Sequence, residues 1–284
     1  MELVRITEPG EVLDRAVRFL ERAEVANLSL VQTVVRVFEG KDDPANPSTI
    51  HALRDARDVH GVLVRTANGR LLWSTIDDPL GAIAVEAVVR AFADTMPAMT
   101  SAYGPTKIAA GFADRWAADH GRRVSVRMRF RHFEIDRVIP PPPTNGTMRL
   151  ARESDVDAIA QYADAFVTET GLPEEERALT HRDRVATRVE ARGFYVWDVD
   201  GRIVTTSSVA GTPRIRRIGF VYTPPDARKR GYASALVARL TQQLLDAGAW
   251  RVSLTTDPTY EPSNRVYQAI GYRPVADAIW YAFE

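Results

Sequence analysis

The 284-residue sequence contains no cysteine, which excludes a disulfide scaffold, a thiolate metal site and a cysteine nucleophile. It has no surplus of either charge, with 37 Lys and Arg against 37 Asp and Glu, and that balance argues against a nucleic-acid or acidic-polymer binder. Neither G-x-x-x-x-G-K-[S/T] nor G-x-G-x-x-G occurs, so the P-loop and dinucleotide fingerprints are absent. The histidines His51, His60, His120, His132 and His181 show no metal-ligand spacing, and no metal is expected. His120 reads as the end of a helix. Every long apolar run is broken by charge, and the opening MELVRITEPGEV has no basic patch ahead of an apolar core. Neither a membrane span nor a signal peptide is therefore expected, and a cytoplasmic location follows as the default.

What is present is an ordinary globular composition, 45% hydrophobic and 26% charged, at a length that suggests two domains. Pro140-Pro141-Pro142-Pro143, followed by Thr144-Asn145-Gly146, reads as a stiff polyproline connection. It divides the chain into 1–139, a linker at 140–146, and 147–284.

In the first part, helical spacing predicts two helices between Gly10 and Gly40, and Lys41–Pro47 reads as a polar connection. Gly61–Arg65 and Arg70–Ile76 flank Asn68-Gly69, a hairpin signal because both turn residues accept positive φ. Gly193–Trp197 and Arg202–Thr206 flank Asp200-Gly201 in the same way. Gly61, Val64, Gly69 and Arg70 align with Gly193, Val196, Gly201 and Arg202 at one constant offset, which suggests a duplicated unit. Helix, extended piece, helix and final strand then follow in the first copy, at 81–96, 98–103, 105–120 and 124–138. The second part opens with a strand at Thr147–Ala151 and a helix from Asp155, a plausible N-cap, to about Thr168.

Ile215–Tyr222 is an apolar and β-branched run that Pro224-Pro225 must stop, since proline offers no ladder donor and restricts its predecessor. From Gly231 the period changes: Ala233, Leu236, Val237, Leu240 and Leu244 mark an amphipathic helix closed near Gly248. Arg228, Lys229, Arg230 and Gly231 stand immediately before that helix. Free backbone N–H groups and the helix dipole favour an anion there, and a glycine lets it approach closely. The expected ligand is a diphosphate. A solvated basic turn is the alternative.

Arg228–Ala233 reads R-x-x-G-x-A at a strand-to-helix junction, and so resembles motif A of the GNAT superfamily, the acyl-CoA-dependent N-acyltransferases. A strand at Arg251–Thr256, then Asn264 with Tyr267, then Gly271-Tyr272-Arg273-Pro274 follow in the order of that family's motif B. The resemblance implies an α+β protein: a C-terminal GNAT fold, with a mixed, mostly antiparallel twisted sheet flanked by helices, behind a degenerate N-terminal GNAT-like α/β domain. The first copy lacks any R-x-x-G-x-A segment between Ile76 and Gly81.

The same resemblance implies the site. Val221, Tyr222 and Thr223 would pair through their backbone with the pantetheine arm of acetyl-CoA. Arg228 and Arg230, with neighbouring Lys229 and the amides of Gly231, Tyr232, Ala233 and Ser234, would hold its pyrophosphate. A backbone N–H at the end of the 215–223 strand would take the oxyanion. Asn264 would hold cofactor or helix geometry, and Tyr267 would protonate the departing thiolate, being protonated at neutral pH by its ordinary pKa near 10. Packing against one helix face is the alternative role for Tyr267.

A thioester is already activated, so a primary amine can attack it directly with neither metal nor covalent enzyme intermediate. The strand Arg216–Val221 has no carboxylate where many relatives place a glutamate, so the general base is open among Glu169, Asp257, Glu261 and a water chain. The acidic stretch Glu169–Glu176 suits a cationic amine, or equally a solvated helix start. The expected acceptor is a small-molecule or peptide amine, and a homodimer is compatible with the sequence. A non-catalytic acyl-CoA sensor and a tandem biosynthetic enzyme resembling mycothiol synthase are the competing readings.

Overall fold

The computed structural model describes residues 1–42, 45, 47–94, 98–172 and 181–284. The chain forms two compact units, Met1–His132 with Val275–Glu284, and Phe133–Pro274. The first contains β1 (Glu2–Ile6), α1 (Glu11–Glu21), α2 (Leu28–Phe38), β2 (Thr49–Arg54), β3 (Val59–Arg65), β4 (Arg70–Trp73), α3 (Gly81–Ala91), β5 (Ser101–Pro105), α4 (Thr106–His120) and most of β6 (Val124–Ile135). The second contains β7 (Thr147–Leu150), α5 (Val156–Thr170), α6 (Arg182–Glu190), β8 (Phe194–Val199), β9 (Arg202–Gly211), β10 (Ile215–Tyr222), α7 (Tyr232–Asp246), β11 (Arg251–Thr256), α8 (Glu261–Ala269) and the start of β12 (Arg273–Phe283). The fold is mixed α and β, with twisted sheet flanked by helices.

Over the described residues both units read β-α-α-β-β-β-α-β-α-β. Their sheets agree as well: β1 to β4 are successively antiparallel and β4·β5 is parallel, as β7 to β10 are antiparallel and β10·β11 parallel. This element order corrects the sequence alignment of the two copies by one strand. It equates β2–β3, not β3–β4, with β8–β9, and β4 with β10. The overlooked strand is β2, whose burial is nearly continuous and so gives no alternation to read.

The two hairpin turns also differ. At Asp200 and Gly201 both φ angles are positive, 50° and 83°, and Val199 pairs with Arg202 across a two-residue turn. In the first unit's hairpin loop only Gly69 is positive, at 79°, and Thr66 N–H bonds Arg70 C=O at 2.9 Å across a three-residue loop. Asn68 therefore needs no left-handed conformation. Its loop follows the longer hairpin geometry, with glycine at the left-handed position.

α7 is positioned by its apolar stripe. Leu236, Val237 and Leu240 are fully buried, with Leu244 beside them, each contributing about 1.5–3 kcal/mol by burial. The helix ends as expected, with Gly248 at φ 96°. Asp155 stands immediately before α5, but its carboxylate turns back to Arg152 N–H (2.7 Å) and Arg149 (2.6 Å) instead of capping α5 amides.

The Pro140–Pro143 run lies in the second unit, and the residues after it are docked there. Thr144 Oγ1 donates to Arg230 C=O at 3.1 Å, and Trp197 Nε1 donates to Asn145 C=O at 2.8 Å. At the other end of the chain, Val275–Glu284 completes the first unit's sheet, pairing antiparallel with β5. There Phe283 stacks on Trp116 with ring centroids 4.3 Å apart.

Candidate active site

β10 and β11 pair only at Ile215–Arg251, Arg216–Val252 and Arg217–Ser253. Beyond Arg217 the two parallel strands part. On its other edge β10 loses register with β9 between Gly219 and Tyr222, and Phe220 there takes φ 48°. A bulge therefore leaves Phe220 and Val221 outside the register of either neighbour. Carbonyls freed by the bulge are taken by hydroxyls on β9: Thr205 Oγ1 donates to Tyr222 C=O at 2.7 Å, and Ser207 Oγ to Gly219 C=O at 3.2 Å. Thr205, Thr206, Ser207 and Ser208 are all buried. Their role escaped the sequence reading, although four hydroxyl residues in an otherwise apolar strand were the visible signal.

After β10 the chain makes a short 3-10 turn at Pro225–Ala227 and enters α7 through Lys229 at φ 61° and Gly231 at φ 80°. The first helical bond is Ala235 N–H to Gly231 C=O at 2.9 Å. The amides of Gly231, Tyr232, Ala233 and Ser234 precede it and have no acceptor among the described residues. A Cβ built on Gly231 would meet only open space, so glycine serves the backbone angle and leaves the approach clear. Lys229 and Arg230 are exposed and form no ion pair among the described residues.

Arg228 is held by Glu169, 2.6 and 2.9 Å from its carboxylate oxygens, and by Thr223 C=O at 2.8 Å. Tyr232 is buried, and its hydroxyl donates to Asn145 Oδ1 at 3.0 Å. That side chain braces the loop, leaving its amide for a ligand. Asn264 is buried, accepting from Thr256 Oγ1 at 2.6 Å and donating to Asp257 C=O at 3.1 Å. It fastens the start of α8 to the end of β11, the helix-geometry alternative. Tyr267, one turn further along α8, packs among Val237, Leu254 and Ile270, with its ring edge to Tyr272 at 6.1 Å. Its hydroxyl meets no hydrogen-bond partner among the described residues, and burial pushes the phenol above its ordinary pKa.

Each candidate base is already engaged. Glu169 also accepts from Tyr222 Oη at 2.8 Å. Burial alone would raise its carboxyl, but the bonds from Tyr222 and Arg228 outweigh that and hold it below the usual range. Asp257 accepts from both the amide and hydroxyl of Thr259 at 2.7 Å, and Glu261 pairs with Arg265. Pro173–Glu176, the rest of the acidic stretch, lies outside the described residues. Among the described residues no His, Asp and Glu cluster could hold a metal, and no helix is long and apolar enough to cross a membrane.

The first unit lacks this opening. β4 and β5 pair from Arg70–Ser101 to Leu72–Tyr103, and just past that a Cβ on Gly104 would lie 2.6 Å from Trp73 Cβ. Buried Trp73 closes the seam, and the segment Ile76–Gly81 carries no R-x-x-G-x-A sequence.

The sequence profile of the acetyltransferase (GNAT) family matches residues 156–272, the segment that holds the parted strands and the glycine-led helix. Residues 156–272 belong to the GNAT family. Solved GNAT structures extend the likeness of fold over the whole chain. An acetyltransferase of the GNAT family from Colwellia psychrerythraea superposes with a TM-score of 0.57 at 10% identity, covering 100% of both chains. A GCN5-related N-acetyltransferase from Sphaerobacter thermophilus gives 0.59 at 17% identity, over 98% of this chain and 94% of that one. A tandem GNAT protein from the clavulanic acid biosynthesis pathway gives 0.50 at 15% identity, over 99% and 98%. No curated protein matches the chain in sequence. The second unit thus carries the GNAT motif, and the first repeats its element order without an R-x-x-G-x-A segment.

Proposed function

We propose that the second unit transfers an acetyl group from acetyl-CoA to a primary amine by direct attack. The observation that carries this reading is the parting of β10 from β11 directly ahead of four unsatisfied amides at Gly231–Ser234. Those amides, with Arg230 and Lys229, supply a cradle for the pyrophosphate. The edge of β10 at Val221–Thr223 supplies a strand for the pantetheine amides, and an amide in the bulge stands ready for the oxyanion.

In the reaction the amine nitrogen forms a bond to the thioester carbon, and the C–S bond breaks with its electron pair leaving on sulfur. Tyr267 donates to that sulfur. With its phenol raised by burial, it stays protonated at neutral pH and acts mainly by hydrogen-bonding the developing thiolate. The attacking ammonium loses one proton to a water chain before attack, and the nitrogen loses a second to the same chain as the amide forms and CoA departs as thiolate, since Glu169, Asp257 and Glu261 are all engaged. That shortage of a free carboxylate is also what favours the second reading, an acyl-CoA-binding protein without turnover. Titration with acetyl-CoA, followed by a CoA-release assay over small amines and peptides, separates the two. Binding with release supports the transferase; binding with no release from any amine supports the sensor.

A further inference from the structure

Two part-buried arginines of the second unit meet carboxylates: Arg149 pairs with Asp155 and Asp198, and Arg251 with Asp136. Arg188, on α6, does not. Its guanidinium carbon lies 5.0 Å from the Phe194 ring centroid and 5.7 Å from that of Phe220, and no carboxylate pairs with it among the described residues. Burial, and then the nearby charge of Arg217, both disfavour its ionised form, so the folded chain bears a cost that a bound anion would offset.

The position of this cation is informative. Phe220 is the left-handed bulge residue of β10, at the point where the strand leaves its neighbours. Its ring also packs on Phe166 of α5, at 5.2 Å. Arg217 precedes Ile218, which faces α7, so strand alternation turns Arg217 to the opposite face, the one covered by α5 and α6. Two arginines and an aromatic floor therefore converge beside the place where an acyl carbonyl would sit.

We propose that this face of β10 binds the acceptor, and that the acceptor is an amine that also carries an anionic group, a carboxylate or a phosphate, held by Arg188 with Arg217 beside it. The proposal rests on the transferase reading of the same site. A planar guanidinium seated on rings is preorganised for two-point contact with such a group.

The test is ligand-observed NMR on the full chain saturated with CoA. The probes are L-amino acids against their carboxamides, and phosphoethanolamine against ethanolamine. Anionic probes should bind about tenfold tighter or better than their neutral counterparts, and the favoured pair distinguishes carboxylate from phosphate. Arg188→Gln should reduce that preference to about twofold or less, Arg188→Lys should keep part of it, and the acetyl-CoA Kd should be unchanged in both. Should Arg188→Gln fail to fold, Arg188→Lys carries the comparison in its place. Equal binding of neutral and anionic probes, no binding of any probe, or a preference untouched by the variants overturns the proposal. Failure of the transferase reading shows separately, as wild-type protein that does not take up acetyl-CoA.

Discussion

Glu169 and Arg228 form a two-point ion pair, 2.6 and 2.9 Å, across the end of β10, and Tyr222 Oη closes it at 2.8 Å. The first cation of the R-x-x-G-x-A segment is thus fixed by the end of α5, while Lys229 and Arg230 remain open to a ligand. Glu169 consequently positions Arg228, and its carboxyl titrates below the ordinary range. A depressed carboxyl contributes its interaction above its unfolded pKa and loses it only as pH falls through the folded one. Glu169→Gln should therefore leave the acid limb of the kcat/KM profile where it is. Loss of that limb would make Glu169 the base.

Tyr267 offers a clean substitution, because its hydroxyl bonds nothing among the described residues while its ring is part of the core. Tyr267→Phe should lower kcat by about tenfold to a hundredfold with Tm and acetyl-CoA affinity nearly unchanged. Unaltered kcat would reduce Tyr267 to packing.

The closed seam of the first unit predicts a purely structural effect. Gly104→Ala places a methyl 2.6 Å from Trp73 Cβ and 3.2 Å from Trp73 C=O, where backbone cannot yield. Destabilisation of about 1–3 kcal/mol is expected, read from the urea midpoint at constant slope. No change in midpoint would mean that the strands are not locked there.

His51 gives the protein an acid-sensitive core. It is buried on β2, 3.0 Å from Thr49 Oγ1 and edge-on to Phe92. Burial, with Arg5 and Arg65 nearby, lowers its pKa from 6.5 to about 4. Between those values the unfolded chain binds the proton and the folded chain does not, so the contribution is complete above pH 6.5 and is lost as pH falls toward 4. It amounts to roughly 3 kcal/mol. His51→Gln should flatten stability against pH across that window, measured by urea denaturation; an unchanged slope would remove His51 as the cause.

Much of this was legible in the sequence because the signals were local. Proline ended β10, period marked α7, and Asp200-Gly201 fixed a hairpin. What was not legible depended on pairing across distance. β2 offered no alternation, so the two copies were aligned one strand out. Val275–Glu284 reads as the end of the second half, yet its Ala278–Ala282 register belongs to β5 of the first unit. The polyproline run announced a spacer, but Thr144 and Asn145 instead brace the loop ahead of α7. In the site, Gly231 and the free amides followed from the motif, whereas Glu169's hold on Arg228 required α5 and β10 to be brought together.

On the transferase reading, the chain offers one cradle for acetyl-CoA, opened by Gly231 in the second unit and closed off by Trp73 in the first. Calorimetric titration of the full chain with acetyl-CoA tests it directly, using wild type beside Gly231→Val. A Val side chain at φ 80° costs about 1–2 kcal/mol and projects into the open approach. One acetyl-CoA per chain is expected, with at least about tenfold weaker binding by Gly231→Val because its side chain enters the ligand's approach. Two sites per chain, no binding at millimolar ligand, or equal affinity of the two proteins would contradict it.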